Sequence, residues 1–123
     1  MNGLVRTMTW DRDLQVYLDS MREADEPCAT FAAGAVHAVT GTDLLPAFRG
    51  RMSWARDHLE AAVTEALGDP VPASFARMGD VIMCDGNLGV CYGEVSFFMA
   101  LHEGQFGTAA LPTLSCSAAW RVG

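Results

Sequence analysis

The chain reads as an α+β domain in which helices come first and a small antiparallel sheet follows. Three observations predict this. Apolar residues recur at helical spacing from about residue 10 to about residue 68. From about residue 79 onward, short apolar runs alternate with glycine-bearing turns such as Asp85-Gly86. Between the halves, Asp69-Pro70-Val71-Pro72 makes a stiff, extended connector. A length of 123 residues with 50% hydrophobic content suits one domain over residues 1–123, built on one core.

The elements follow in order. Leu14, Tyr17, Leu18 and Met21 share one helical face, which predicts a helix over about residues 10–22, with Asp11 and Asp13 at its positive end. Asp25-Glu26-Pro27 opens a second helix, with Asp25 as N-cap and Pro27 in the first turn. Phe31, Ala35 and Val39 form its buried stripe. Ala32 and Gly34 let it lie close to a sheet, and Thr40-Gly41 ends it. Residues 43–50 form a connector around Pro46. Ser53 then caps a third helix to Leu67, whose stripe is Leu59, Ala62, Val63, Ala66 and Leu67, and Gly68 stops it. Strands are predicted over residues 80–83, 88–92, 95–99, 108–111 and 118–122, with Gly104 and Gly107 bracketing the turn before the fourth.

Charge and composition narrow the function. The formal net charge is −7, the opposite of what a nucleic-acid groove needs. All eight basic residues are Arg, so no Lys is present to act as nucleophile or Schiff base. No apolar run reaches the length of a membrane span, and the first residues lack the apolar core of a signal peptide, so synthesis in a cytoplasm is expected. Cys28, Cys84, Cys91 and Cys116 form no C-x-x-C pair, so neither a zinc ribbon nor a dithiol redox motif is expected, and no metal or cofactor is implied. Free thiols are the default, although Cys84 and Cys91 flank a hairpin turn and could approach each other.

Several pieces resemble the NlpC/P60 family of papain-like cysteine peptidases, which cut peptide stems of bacterial cell walls. Gly79-Asp80-Val81-Ile82, a turn, and Leu88-Gly89-Val90-Cys91-Tyr92-Gly93 are similar to that family's strand core. Pro27-Cys28-Ala29-Thr30-Phe31 is similar to the segment that opens its nucleophile helix. The chain is most similar to short phage proteins encoded among tail genes, which carry a variant of this fold. Cys28-Ala29-Thr30-Phe31-Ala32-Ala33, Thr40-Gly41-Thr42-Asp43, Phe48-Arg49-Gly50-Arg51, Arg77-Met78-Gly79-Asp80-Val81, Leu88-Gly89-Val90-Cys91-Tyr92-Gly93 and Ala119-Trp120-Arg121-Val122-Gly123 carry that likeness. The resemblance implies a papain-like fold, with a helical half over about 10–68 and a sheet half over about 79–123. It also implies a place in the phage tail tip or baseplate, with the tail hub as partner.

Under the resemblance, the catalytic parts transfer unevenly. Cys28 takes the nucleophile position, at a helix start whose free N–H groups and dipole favour a thiolate. Asn87 stands where the family has its histidine base, and Met99 lies near the third, orienting position. An amide cannot accept the thiol proton at neutral pH, and a thioether cannot orient an imidazole. Of the histidines, His37 is about 13 Å along the helix from Cys28, and His58 belongs to the third helix as a surface residue. His102, in the turn after the third strand, is the substitute base a shifted register would supply, with Glu103 or Asn87 as its partner. Two readings follow. One is an inert tail-tip structural or adaptor protein docking on the hub. The other is an endopeptidase acting on peptidoglycan through Cys28. A small host regulatory or toxin-like domain would rest on fold alone. Arg49, Arg51 and Trp120 are the interface candidates, for Arg forms bidentate contacts and Trp is enriched where proteins meet. The plainer reading makes Cys28 a small core residue and the Trp side chains core packing.

Overall fold

The computed structural model describes residues 3–24, 26–49, 56–102 and 105–123. Four helices precede five strands: α1 (Trp10–Ser20), α2 (Cys28–Thr40), α3 (Leu45–Arg49), α4 (Arg56–Leu67), then β1 (Val81–Cys84), β2 (Asn87–Tyr92), β3 (Val95–His102), β4 (Gln105–Pro112) and β5 (Ala118–Trp120). Single 3-10 turns occupy Ala73–Phe75 and Thr113–Ser115. The sheet runs β4-β3-β2-β1-β5 and every pairing is antiparallel. The α+β order expected from the spacing is therefore present, helices first and a five-stranded sheet after.

Local chemistry explains the boundaries. Gly41 ends α2 with φ +79°, a left-handed conformation that glycine adopts without penalty, and its N–H donates to the His37 carbonyl at 2.8 Å. The expected connector around Pro46 contains a one-turn helix instead. Proline suits a first helical turn, where its missing N–H has no partner to lose, and Asp43 accepts a hydrogen bond from the Leu45 N–H at 3.0 Å. Asp25 lies outside the described residues, but α2 starts later than expected, at Cys28, with the extended Pro27 as its N-cap and not in its first turn. The N-cap assigned to Ser53 lies outside the described residues.

The β3–β4 hairpin is longer than its apolar pattern suggests. His102 is not in a turn; it closes β3, paired with Gln105. Gly107 is likewise a strand residue. A Cβ there would run into the Arg22 carbonyl oxygen, and the neighbouring Thr108 N–H donates to that same oxygen at 3.2 Å. The small residue thus lets the chain leaving α1 close onto the edge of β4.

The sheet separates two apolar clusters. Val81, Met83, Leu88, Val90 and Trp120 face the helices, packing with Leu14, Phe31, Val36, Val39 and Val63. Ile82, Cys84, Phe98, Cys116 and Ala119 pack with Ala73 on the other face. Period-two alternation along each strand produces this division. Trp120, expected as an interface residue, is wholly enclosed in the helix-side core, and its indole N–H donates to Thr64 Oγ1 at 3.1 Å. Its ring is committed to this chain's own core and has no free surface to offer a partner.

The termini are tied together by one buried carboxylate. Asp80 is fully buried. It accepts hydrogen bonds from the Arg77 N–H at 2.9 Å, the Val122 N–H at 3.0 Å and Arg6 Nη2 at 3.1 Å. Arg6 also donates from Nε to the Val122 carbonyl and from Nη1 to the Met78 carbonyl, and lies 4.3 Å from the Trp10 ring centre. Asp80 therefore clamps the N-terminal arm, the start of β1 and the C-terminal segment into one unit.

Candidate functional site

Cys28 is the first residue of α2. Pro27 precedes it in an extended conformation, and the Pro27 carbonyl accepts the Phe31 N–H at 2.9 Å, so the helix starts cleanly at the thiol. Helical spacing puts Cys28 on the face of Phe31, Ala32 and Ala35, all buried against the sheet. The side chain is half-buried and packs against the helix-side core.

Met99 packs against that same core, opposite Thr108 in the β3–β4 register. The structure thus brings the nucleophile position and the expected third position to one side of the sheet. Asn87 is exposed at the start of β2 and does not join them. Directly opposed residues of an antiparallel pair share a face, and Asn87 is paired with Cys84, which belongs to the cluster on the far side. The alternation of β2 agrees, because Leu88 and Val90 face the helices.

Among the described side chains, the imidazole is that of His37, exposed in the last turn of α2. It lines a groove of about 370 Å3 with Tyr17, Met21, Glu26, Gly34 and Asp43. That groove runs along the Thr30–Gly34–His37 side of α2, turned away from the Cys28 face. Tyr17 forms its wall: its hydroxyl donates to the Phe31 carbonyl at 2.8 Å, and its ring stacks on Phe31 at 5.9 Å. Burial, and then the nearby Glu26 charge, push the Tyr17 hydroxyl up to about 12. The side chains of His58 and His102, and Glu103 altogether, lie outside the described residues. Arg49 ends α3 with its side chain outside them too, as is all of Arg51.

A family model described as "Domain of unknown function (DUF6950)" matches residues 5–122. The chain belongs to this family. No curated protein and no solved structure matches it. The DUF6950 match runs from the Arg6 arm through β5, so it takes in both the Cys28 helix start and the Asp80 clamp. Among the described residues, no group of three His, Cys, Asp or Glu is placed to hold a metal ion, and no helix is long and apolar enough to cross a membrane.

Three features escaped the sequence reading. Ser96 is fully buried in β3 and donates to Thr113 Oγ1 at 2.8 Å, while Thr113 donates to the Gly93 carbonyl at 2.7 Å. A lone Ser in the apolar run Val95–Phe98 was the available signal. Phe75 and Leu114 stand 61% and 77% exposed on the two 3-10 turns, which touch each other. The Arg6–Asp80 ion pair joins residues 74 positions apart, and no local pattern announces it.

Proposed function

We propose that this chain is a structural or adaptor protein of a phage tail tip or baseplate, carrying a degenerate NlpC/P60-like, papain-like fold and docking on the tail hub. The phage assignment rests on the sequence resemblance. The inert character rests on one observation: Cys28 opens α2 against the sheet, but Asn87 is an amide on the opposite face and Met99 is a thioether. Neither can take a proton from sulfur or orient a base that would. Docking would use the Arg49–Arg51 segment and the exposed apolar Phe75 and Leu114, since Trp120 is enclosed.

The enzymatic alternative keeps Cys28 as nucleophile and needs His102 as base. Zymography on bacterial cell walls separates the two readings. The adaptor reading expects no clearing by the wild-type protein. Clearing that disappears in Cys28→Ala would establish the endopeptidase instead.

A further inference from the structure

The groove beside α2, on the side that the Cys28 face does not use, is lined by groups that accept hydrogen bonds and carry negative charge. Its floor is low because α2 contributes the small residues Ala33, Gly34 and Ala38, while Tyr17 and Met21 of α1 and Leu45 of α3 rise around them. Its volume of about 370 Å3 falls in the range of ligand-binding clefts. Each polar group in it whose role is settled is an acceptor. Tyr17 spends its proton on the Phe31 carbonyl at 2.8 Å, so its oxygen has only lone pairs left to offer. Asp43 accepts the Leu45 N–H at 3.0 Å through Oδ1, and its Oδ2 takes no hydrogen bond from a described residue. Glu26 forms no ion pair among the described residues, and its carboxylate lies near enough to Tyr17 for its charge to help raise that hydroxyl. Thr30 and His37, also on the groove, can serve either role. No described arginine lines it, although all eight basic residues of the chain are Arg.

We propose that this groove docks an arginine-bearing surface segment of a partner protein, with the guanidinium donating to the free acceptors and its apolar neighbours lying on Met21 and Leu45. Charge complementarity selects the occupant: two carboxylates and a spent hydroxyl call for a ligand that is cationic and donates only. A guanidinium meets that need with five N–H groups in a planar fork, which matches a carboxylate with two parallel bonds where an ammonium offers a point charge. The groove is open along one side, so a small free cation would stay largely in water, whereas a protein segment brings its own surface to cover the opening. A second copy of this chain is the poorer occupant, because it carries the same net charge of −7. Such a groove suits an adaptor, but no part of it depends on a phage assignment.

Fluorescence anisotropy with the purified full chain tests this, using a labelled synthetic heptapeptide that alternates leucine with arginine. The same peptide with lysine or with glutamate in place of arginine, and arginine amide as a competitor, are the comparison probes. The expected result is saturable binding of the arginine peptide, tightest of the three, that weakens as salt rises from about 0.05 to about 0.3 M. Glu26→Gln and Asp43→Asn should each raise Kd by about two- to fivefold, and together by about tenfold. Asp43→Asn keeps an oxygen for the Leu45 N–H, so the start of α3 is retained. Glu65→Gln removes one charge from an exposed residue of α4 outside the groove and should leave Kd unchanged. Thr30→Arg sets a guanidinium of the chain's own on the groove and should abolish binding, with an unchanged circular dichroism spectrum. No binding of the arginine peptide up to about 1 mM would overturn the proposal. So would equal binding of the lysine or glutamate peptide, or a loss in Glu65→Gln as large as in Glu26→Gln, which marks a general attraction to an acidic chain. Arginine amide competing as strongly as the peptide would mark a small-molecule site and overturn the docking of a protein segment. The probe comparison uses the wild-type chain and decides the matter even if a variant does not fold.

Discussion

Asp80→Ala should be among the most damaging single changes in this protein. The carboxylate holds two backbone N–H groups and the Arg6 guanidinium, and it is fully buried. Its removal leaves a guanidinium that is only 15% exposed without a counter-ion. Breaking a buried pair from one side costs about 3–5 kcal/mol, because the remaining charge stays desolvated. The Arg6 bonds to the Val122 and Met78 carbonyls persist and hold the loss within that range. At about 2.1 cal/mol/K per residue, a chain of 123 residues has an unfolding entropy of about 0.26 kcal/mol/K, so the midpoint should fall by roughly 12–19 °C. The whole stability of such a domain is about 6–18 kcal/mol, so the variant folds but melts early. Thermal unfolding followed by circular dichroism measures the shift, and a cycle with Arg6→Met isolates the pair. Once Asp80 is gone, Arg6→Met should cost far less than it does alone. A drop below about 1 kcal/mol, or strict additivity in the cycle, would refute the clamp.

Gly34→Ala should destabilise the protein by about 1–3 kcal/mol in urea titration, even though alanine favours a helix by about 1 kcal/mol. The new methyl would collide with the Tyr17 hydroxyl and break its bond to the Phe31 carbonyl. Tyr17 also makes stability alkali-sensitive. Its hydroxyl is raised from 10.0 to about 12 in the folded state, so above pH 10 the unfolded chain releases a proton that the folded one keeps. This contribution is full below pH 10 and is lost as pH rises toward 12, on the order of 1–2 kcal/mol after allowance for partial exposure. Denaturant midpoints for wild type and Tyr17→Phe between pH 9 and 12 should converge if this holds; parallel curves would oppose it. Asn87→His should give no Cys28-dependent clearing in cell-wall zymography, since position 87 shares the Cys84 face; clearing would refute the facial assignment.

Much of the fold was legible because it rests on short-range periodicity. Leu14 and Leu18 mark α1, Phe31, Ala35 and Val39 mark α2, and Asp85-Gly86 marks the β1–β2 turn, where both residues take positive φ. The misreadings have physical causes. Pro46 looks like a breaker, but in a first helical turn it breaks nothing. The end of β3 continues because β4 pairs with it residue by residue through His102, a partnership no local pattern reveals. Trp120 near a chain end resembles a docking residue, yet β5 lies beside β1 and turns the ring into the core. Cys28 at a helix start was readable directly. The Arg6–Asp80 clamp was not, since it joins segments that only the finished fold brings together.

The facial placement of Asn87 follows from the length of one turn. Cys84 and Asn87 are paired across the two residues Asp85 and Gly86, and that pairing sets the register of β1 against β2. Side-chain direction in a strand has a period of two, so a one-residue slip would carry Asn87 to the helix face and Leu88 and Val90 out of the core. Both of those residues are fully buried beneath α2, so the slip would expose them and empty the centre of the domain. Core packing therefore enforces the separation of position 87 from Cys28. Acquiring a base for Cys28 would need a residue already on the helix face of the sheet, where Tyr92, Phe97 and Met99 pack against the same core as Cys28.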